Sequence, residues 1–211
     1  MKIVIVSGGV APSKELLLDE LLNSSYLLCA DSGANCLFNY GIVPNYLIGD
    51  FDSINKEVYD YFTKKQCNIE TFRRDKDYTD TQLALLKAID LGASEILFLG
   101  CTGDRIDHTL GNLGFLKECL KLNIKASLKD DKNSVEISDK PLILKGKVGQ
   151  YFSLQAYSDC VKDLTIRGAK FELIDYDLKL GDPLTISNEF LNYDVEINFS
   201  SGELLIIFSK D

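Results

Sequence analysis

The sequence predicts an α/β domain followed by an all-β domain, and two patterns carry this prediction. In the first part, short continuous apolar runs alternate with amphipathic stretches, as expected for parallel strands buried on both faces and their connecting helices. Beyond Asp130 and Asp131, apolar and polar residues alternate with a period of two, which indicates antiparallel strands. We therefore expect an α/β domain in residues 1–130 and an antiparallel β-sandwich in residues 131–211.

The elements of the first domain are expected in alternating strand–helix order. Apolar runs predict strands over residues 3–6, 26–30, 46–48, 68–72, 95–99 and 124–128. The stretches between them predict helices over residues 14–23, 34–40, 55–65, 83–91 and 110–120. Because crossovers between parallel strands are right-handed, this order predicts a Rossmann-like parallel sheet with flanking helices.

The second domain has its clearest strand pattern near the end of the chain. Apolar residues from Tyr193 to Phe199 alternate with polar ones, and the turn Ser201-Gly202 separates them from an apolar run over residues 204–208. Residues 164–167 alternate in the same way. Such strands, with glycines between them, are typical of a β-sandwich.

Composition and charge exclude several classes of protein. With 45% hydrophobic and 26% charged residues, the chain has the composition of a folded protein. Its net charge of −9 makes nucleic acid and anionic membranes poor partners. Its apolar runs are too short for a signal peptide or a membrane-spanning helix. The six cysteines form no C-x-x-C pair and there is one histidine, so we expect no zinc site and reduced cysteines in a cytoplasmic protein.

Three acidic clusters follow predicted strands, at residues 49–53, 75–80 and 103–108. Carboxyl ends of parallel strands meet at one edge of a sheet, where open α/β sheets bind ligands. Unit charges about 4 Å apart repel by roughly 4 kcal/mol at an effective dielectric constant near 20. A cluster of this kind usually binds a cation, and the adjacent Lys76 and Arg105 suggest a phosphate group. The sequence therefore indicates metal-assisted phosphoryl-type chemistry.

Individual residues in these clusters have distinct candidate roles. Asp50 and Asp52 can reach one hard cation such as Mg²⁺, and Asp80 can complete its site. Lys76 can contact a phosphate, and the planar guanidinium of Arg105 can do the same. The alternative interpretation is a set of solvated acidic turns that cap the following helices. Neither a P-loop nor a G-x-G-x-x-G motif is present, which argues against a dinucleotide.

At these residues the chain resembles the thiamine pyrophosphokinase family. The resemblance rests on segments whose order and spacing cover most of the chain: residues 31–35, 44–53, 75–80, 103–112 and 187–189. It implies an N-terminal α/β domain that binds ATP and Mg²⁺, and a C-terminal β-sandwich that binds thiamine and forms a homodimer. The implied reaction transfers a pyrophosphoryl group from ATP to the hydroxyl of thiamine and releases AMP.

The resemblance also implies roles for individual residues. The metal ligands would be Asp50, Asp52 and Asp80, which with Asp107 make up the catalytic set. The residues around ATP would be Asp31, Asn35, Lys76, Thr79, Arg105 and His108. The thiamine pocket would be lined by Phe171, Ser187 and Asn188, at the interface with the partner subunit. The resemblance does not identify the general base: from the residues alone, either Asp107 or Asp77 could accept the hydroxyl proton, the role of Asp75 stays open, and Asp104 receives no role.

The chain departs from the family where Phe171 follows Gly168-Ala169-Lys170, since many members have a tryptophan there and this chain has none. Phenylalanine can still stack on a heteroaromatic ring, with less area. Two alternatives therefore stay open. One is a pyrophosphokinase acting on another heteroaromatic alcohol, such as a pterin. The other is a non-catalytic protein that binds a nucleotide or thiamine.

Overall fold

A computed structural model describes residues 1–73, 77–103 and 105–210 of the chain. Lys76, to which a phosphate contact was assigned, lies outside the described residues, as do Asp75 and Asp104. The chain divides into two compact units, Met1–Asp131 and Lys132–Asp211. Of the helices in the described part of the chain, none is both long and apolar enough to cross a bilayer.

The first unit contains a parallel sheet with the order β6-β5-β1-β2-β3-β4. Its strands are β1 (Lys2–Val6), β2 (Tyr26–Ala30), β3 (Tyr46–Gly49), β4 (Asn68–Thr71), β5 (Glu95–Leu99) and β6 (Lys125–Lys129). The chain passes from β1 outward to β4 and then returns to place β5 on the other side of β1. This change of direction creates a crevice between the loops that follow β1 and β5, where open α/β sheets bind ligands.

Helices connect these strands, at positions close to those predicted. They are α1 (Lys14–Leu21), α2 (Gly33–Tyr40), α3 (Lys56–Lys64), α4 (Asp80–Asp90) and α5 (Ile106–Lys121). Thr79 caps α4, because its Oγ1 accepts a hydrogen bond from the backbone N–H of Gln82 at 3.2 Å. The fifth helix begins at Ile106, earlier than the predicted start at Leu110, because Ile106 is exposed and lies outside the apolar stripe that predicts this helix.

Side chains of the first unit pack against both faces of its sheet. Val4 and Val6 of β1 belong to a buried cluster with Leu17, Leu37 and Phe62 of the first three helices. On β5, Phe98 stacks on Phe115 of α5 with ring centroids 5.9 Å apart. Burial on both faces explains why the sequence shows continuous apolar runs here instead of alternation.

The second unit is a pair of antiparallel sheets, as predicted. One has the order β12-β9-β14-β7 and the other β11-β10-β13-β8. Their strands are β7 (Asn133–Ser138), β8 (Leu142–Leu144), β9 (Tyr151–Ala156), β10 (Cys160–Arg167), β11 (Leu173–Lys179), β12 (Asn188–Glu189), β13 (Val195–Asn198) and β14 (Leu204–Ser209). Leu154 and Ile206 from the first sheet share a buried core with Ile166 and Ile197 from the second. The α/β plus β-sandwich prediction is therefore confirmed.

Candidate functional site

A cavity of about 670 Å³ opens at the carboxyl ends of the parallel strands in the first unit. This volume is typical of small-molecule sites. Its walls come from the loops after β1, β2, β3 and β5 and from the first turns of α4 and α5. The predicted site residues that line it are Asp31, Asp50, Asp52, Thr79, Asp80, Arg105 and His108. Three other predicted residues of this unit that the structure describes, Asn35, Asp77 and Asp107, lie outside this wall.

Backbone hydrogen bonds join the two loops on either side of the crevice. The N–H of Gly9 donates to the carbonyl of Gly100 at 2.7 Å, and the N–H of Val10 donates to the carbonyl of Thr102 at 2.7 Å. A Cβ on Gly9 would lie 2.1 Å from the Thr102 oxygen, and one on Gly100 would lie 2.2 Å from the Ser7 oxygen. Only glycine permits such an approach, so these glycines fix the floor of the cavity.

Carboxylates gather at one side of this cavity. One oxygen from each of Asp31, Asp50 and Asp52 lies within 4.8 Å of the other two. The backbone is left-handed at Asp31, with φ of 42°, and at Phe51, with φ of 64°. The N–H of Asp52 donates to Oδ1 of Asp50 at 3.2 Å, which holds the turn between them. These three residues could coordinate a hard cation through oxygen.

Asp31 is the carboxylate on which burial and the repulsion between these charges act most clearly. Its Oδ1 is buried and, within the described chain, has no hydrogen-bond partner. Burial raises the pKa of Asp31 above its ordinary value, and the neighbouring charges of Asp80, Asp50 and Asp52 raise it further, against the lowering effect of the Ser32 N–H. A buried oxygen that lacks a donor, beside further carboxylates, fits a bound cation.

Asp80 lies beside this group at the start of α4. Its Oδ1 is 3.3 Å from the position that a Cβ on Gly49 would occupy, and its charge contributes to the raised pKa of Asp31. The sequence-based prediction named Asp80 as the third metal ligand and gave Asp31 to the nucleotide. In the described chain, a group of carboxylate oxygens that lie within 4.8 Å of one another contains Asp31 with Asp50 and Asp52.

At the start of α5, Arg105 and Asp107 contact each other at two points. The guanidinium of Arg105 donates to Asp107 through Nη2 at 2.6 Å and through Nε at 3.3 Å. This hydrogen bond holds the pKa of Asp107 below its ordinary value. Both side chains are exposed, so a phosphate could take the place of Asp107 at little cost.

The sequence prediction did not identify a group of polar residues around the cavity. Thr81 donates from its hydroxyl to the hydroxyl oxygen of buried Ser7 at 3.0 Å. Asn112 of α5 donates from Nδ2 to the carbonyl of Cys101 at 2.8 Å. These bonds tie α4 and α5 to the strand ends. The sequence feature that could have identified Ser7 is its position as a hydroxyl residue directly after β1.

In the second unit, the predicted substrate residues lie around one bend. Phe171 is 60% exposed, whereas Asn188 is only 4% exposed. The Asn188 amide is hydrogen-bonded to the backbone of Phe171. Ser187 has a left-handed φ of 59°, and its N–H donates to Oγ of Ser153 at 3.0 Å. The exposed ring of Phe171 is therefore the part of this group that a flat ligand can reach.

Together, these features define a class: an α/β protein with an acidic ligand site at the switch point of its parallel sheet, joined to a β-sandwich unit. Residues 18–128 match the family model described as Thiamin pyrophosphokinase, catalytic domain. Residues 140–204 match the model described as Thiamin pyrophosphokinase, vitamin B1 binding domain. The chain belongs to the thiamine pyrophosphokinase family, which confirms the resemblance found in its motifs.

Individual relatives agree with this membership. The chain is similar to the thiamine pyrophosphokinase of Bacillus subtilis, with 34% identity over 183 residues that cover 86% of each protein. The crystal structure of the thiamine pyrophosphokinase from Bacillus subtilis superposes with a TM-score of 0.88 and 30% identity over the whole of both chains. A thiamin pyrophosphokinase family protein from Enterococcus faecalis superposes with a TM-score of 0.86 and 28% identity, also over both whole chains.

Proposed function

We propose that this protein transfers the pyrophosphoryl group of ATP to the hydroxyl of thiamine, forming thiamine diphosphate and AMP. The observation that carries the proposal is the group formed by Asp31, Asp50 and Asp52 at the switch-point cavity of a chain in this family. Transfer of a phosphoryl-type group depends mainly on in-line positioning and on neutralising negative charge. An oxygen-rich acidic wall and the exposed guanidinium of Arg105, which lines the same cavity, would meet both requirements.

The metal in this proposal is Mg²⁺, which prefers carboxylate oxygens and phosphates. Asp50 and Asp52 would hold it, with Asp80 as the third predicted ligand and Asp31 added because its buried oxygen has no partner in the described chain. When bound, Mg²⁺ neutralises charge on the phosphate oxygens and on the leaving AMP.

The chain's own residues would bind and orient ATP. The first turns of α4 and α5 line the cavity, and the backbone N–H groups at a helix N-terminus favour phosphate. Arg105 would exchange its contact with Asp107 for a phosphate oxygen, while Thr79 and His108 line the wall. Lys76 and Asn35 complete the proposed set. A carboxylate at this edge, either Asp107 or Asp77, would accept the hydroxyl proton of thiamine.

Thiamine would bind to the second unit through the ring of Phe171, near Ser187 and Asn188. We propose a cytoplasmic homodimer in which residues 1–130 bind ATP and Mg²⁺, and residues 131–211 bind thiamine and form the subunit interface. Large apolar side chains on the surface of the second unit support an interface there: Phe171, Ile174, Leu180, Leu184, Ile186 and Tyr193. The net charge of −9 favours a cationic substrate such as thiamine.

The direct test is to incubate the protein with ATP, Mg²⁺ and thiamine and to quantify the products. Equal amounts of AMP and thiamine diphosphate support the proposal, whereas ADP with thiamine monophosphate would refute it. AMP formation with a pterin alcohol but not with thiamine would show that the protein acts on another heteroaromatic alcohol. Thiamine binding without turnover would identify a non-catalytic binder.

The metal assignment has its own test. Replacing exposed Asp52 with Asn should reduce turnover by at least about 100-fold with little change in thermal unfolding. Asp60→Asn, at an exposed position on α3, is the matched control and should keep full activity. Full turnover in Asp52→Asn would remove this residue from the metal site.

A further inference from the structure

The exposed ring of Phe171 lies on an irregular bend, outside the strands on either side of it. β10 ends at Arg167 and β11 begins at Leu173, so the ladders of these strands do not include Phe171. A ring that stacks on a flat ligand binds more tightly when it is already held in its bound orientation. Because Phe171 is 60% exposed and unpaired by strands, its orientation has to be fixed by contacts other than sheet pairing.

The side-chain amide of Asn188 supplies these contacts. Its Oδ1 accepts the N–H of Phe171 at 3.0 Å, and its Nδ2 donates to the carbonyl of Phe171 at 2.7 Å. One side chain thus binds both backbone groups of Phe171, much as a neighbouring strand would. The same Oδ1 also accepts the N–H of Glu189 at 2.9 Å, which fixes the amide orientation.

Asn188 is itself firmly held. It is 4% exposed and belongs to β12, where it pairs with Phe152 of β9. The bend is further joined to this strand by the N–H of Lys170, which donates to the carbonyl of Glu189 at 3.1 Å. An ion pair of 2.6 Å between the side chains of Lys170 and Glu189 adds a second contact.

We propose that Asn188 is a positioning residue, which orders the ring of Phe171 through its backbone and does not itself contact the substrate. Because the amide is buried and bonded to the backbone on both ends, its direct effect is on Phe171. The identity of the stacked ligand as thiamine rests on the proposed function; the ordering of the ring does not.

The first test uses fluorescence and needs no activity. The chain has no tryptophan, so Phe171→Trp places a single indole at the position in question. Adding Asn188→Ala should lower the steady-state anisotropy of that indole, whereas the control Asn192→Ala, at an exposed position, should not. Unchanged anisotropy in a folded Asn188→Ala protein would overturn the inference. If Asn188→Ala fails to fold, Asn188→Asp serves, since it keeps the size and one acceptor but loses the donor to the Phe171 carbonyl.

The second test is a double-mutant cycle on the KM for thiamine. Asn188→Asp should raise that KM by roughly three- to tenfold, the value of one aromatic stacking contact, with the KM for ATP unchanged. In a Phe171→Ala background the same change should alter the KM by less than about twofold, because residues that act through one contact are not additive. Additive effects would mean that Asn188 contacts thiamine directly and would overturn the inference. If the wild type forms no thiamine diphosphate, the anisotropy result decides the inference alone.

Discussion

Replacing Asp31 with Asn removes one negative charge from the acidic group with little change of shape. The two side chains have the same size, and asparagine is among the residues that best tolerate the left-handed backbone found here, with φ of 42°. The substitution should therefore change the electrostatics of the cavity without straining the loop. It separates the cost of the charge in the metal-free protein from its contribution to cation binding.

The magnitude follows from the distances in the group. At a separation of 4.8 Å and an effective dielectric constant near 20, two unit charges repel by roughly 3.5 kcal/mol. Asp52 is exposed, so solvent and salt screen much of this repulsion. We expect Asp31→Asn to raise the free energy of unfolding of the metal-free protein by about 1 kcal/mol, or by roughly 2–4 °C in Tm for a chain of this length.

The effect should depend on pH in a defined direction. Burial and neighbouring charge raise the pKa of Asp31 in the folded state. Relative to the unfolded chain, its stabilising contribution is then present at low pH and lost as the pH rises through the raised pKa. Asn cannot titrate, so the advantage of the variant should be largest at neutral pH and should disappear in acid.

Urea unfolding in EDTA measures the stability of the metal-free protein, and urea unfolding in Mg²⁺ measures how much a bound cation adds to it. At ten times its Kd, a cation stabilises the wild type by about 1.4 kcal/mol, and the variant should gain less. Asp60→Asn, on an exposed face of α3, is the control and should show neither effect. A variant that is less stable than the wild type in EDTA, or that gains equally from Mg²⁺, would refute the reasoning.

Two further predictions concern stability. Lys129 and Lys2 bind Glu20 at 2.5 and 2.7 Å, and although burial alone would raise the pKa of Glu20, their hydrogen bonds leave it below its ordinary value. Glu20→Gln should therefore cost about 1 kcal/mol at pH 7, and the difference in urea midpoint should vanish as the pH falls through that lowered pKa; a difference that persists in acid would contradict this. Gly100→Ala should lower the free energy of unfolding by at least about 2 kcal/mol, because φ is 64° and the new Cβ would meet the Ser7 carbonyl. The control Gly111→Ala, on α5 with open space around it, should be neutral or stabilising, and equal melting temperatures for the two variants would contradict this.

Much of the fold was predictable because burial leaves a direct mark on the sequence. After a charged first residue, β1 and β5 are apolar to their ends, since both faces of the sheet are covered. In the sandwich the signal is alternation, and β9 carries it as clearly as β13. β9 was not predicted, although its pattern was available. The early start of α5 was missed for the opposite reason, because Ile106 is exposed and carries no burial signal.

The site was predictable only as far as strand ends determine it. Acidic residues after β2 and β3 had to meet at one edge of a parallel sheet, and they do. Which oxygens come close together depends on local backbone turns, such as the left-handed φ at Asp31 and Phe51. The residue types at these two positions do not predict such a backbone conformation. The contact between Asn188 and Phe171 depends on pairing between distant segments, which a single sequence does not reveal.

The two candidate binding regions are prepared for their ligands in opposite ways. In the first unit, Asp31 holds a buried oxygen without a partner in the described chain, beside other carboxylates, so the protein is left with a deficit of positive charge. In the proposed function a cation would relieve that deficit, and its binding free energy would then include the relief of repulsion. In the second unit, the bonds of Asn188 are already made, and the ring of Phe171 is left exposed. A flat ligand gains stacking area there without ordering the bend. A cation would thus be favoured because it relieves the repulsion between carboxylates in the first unit. A flat aromatic ligand would be favoured because the bend that carries Phe171 is already ordered before it binds.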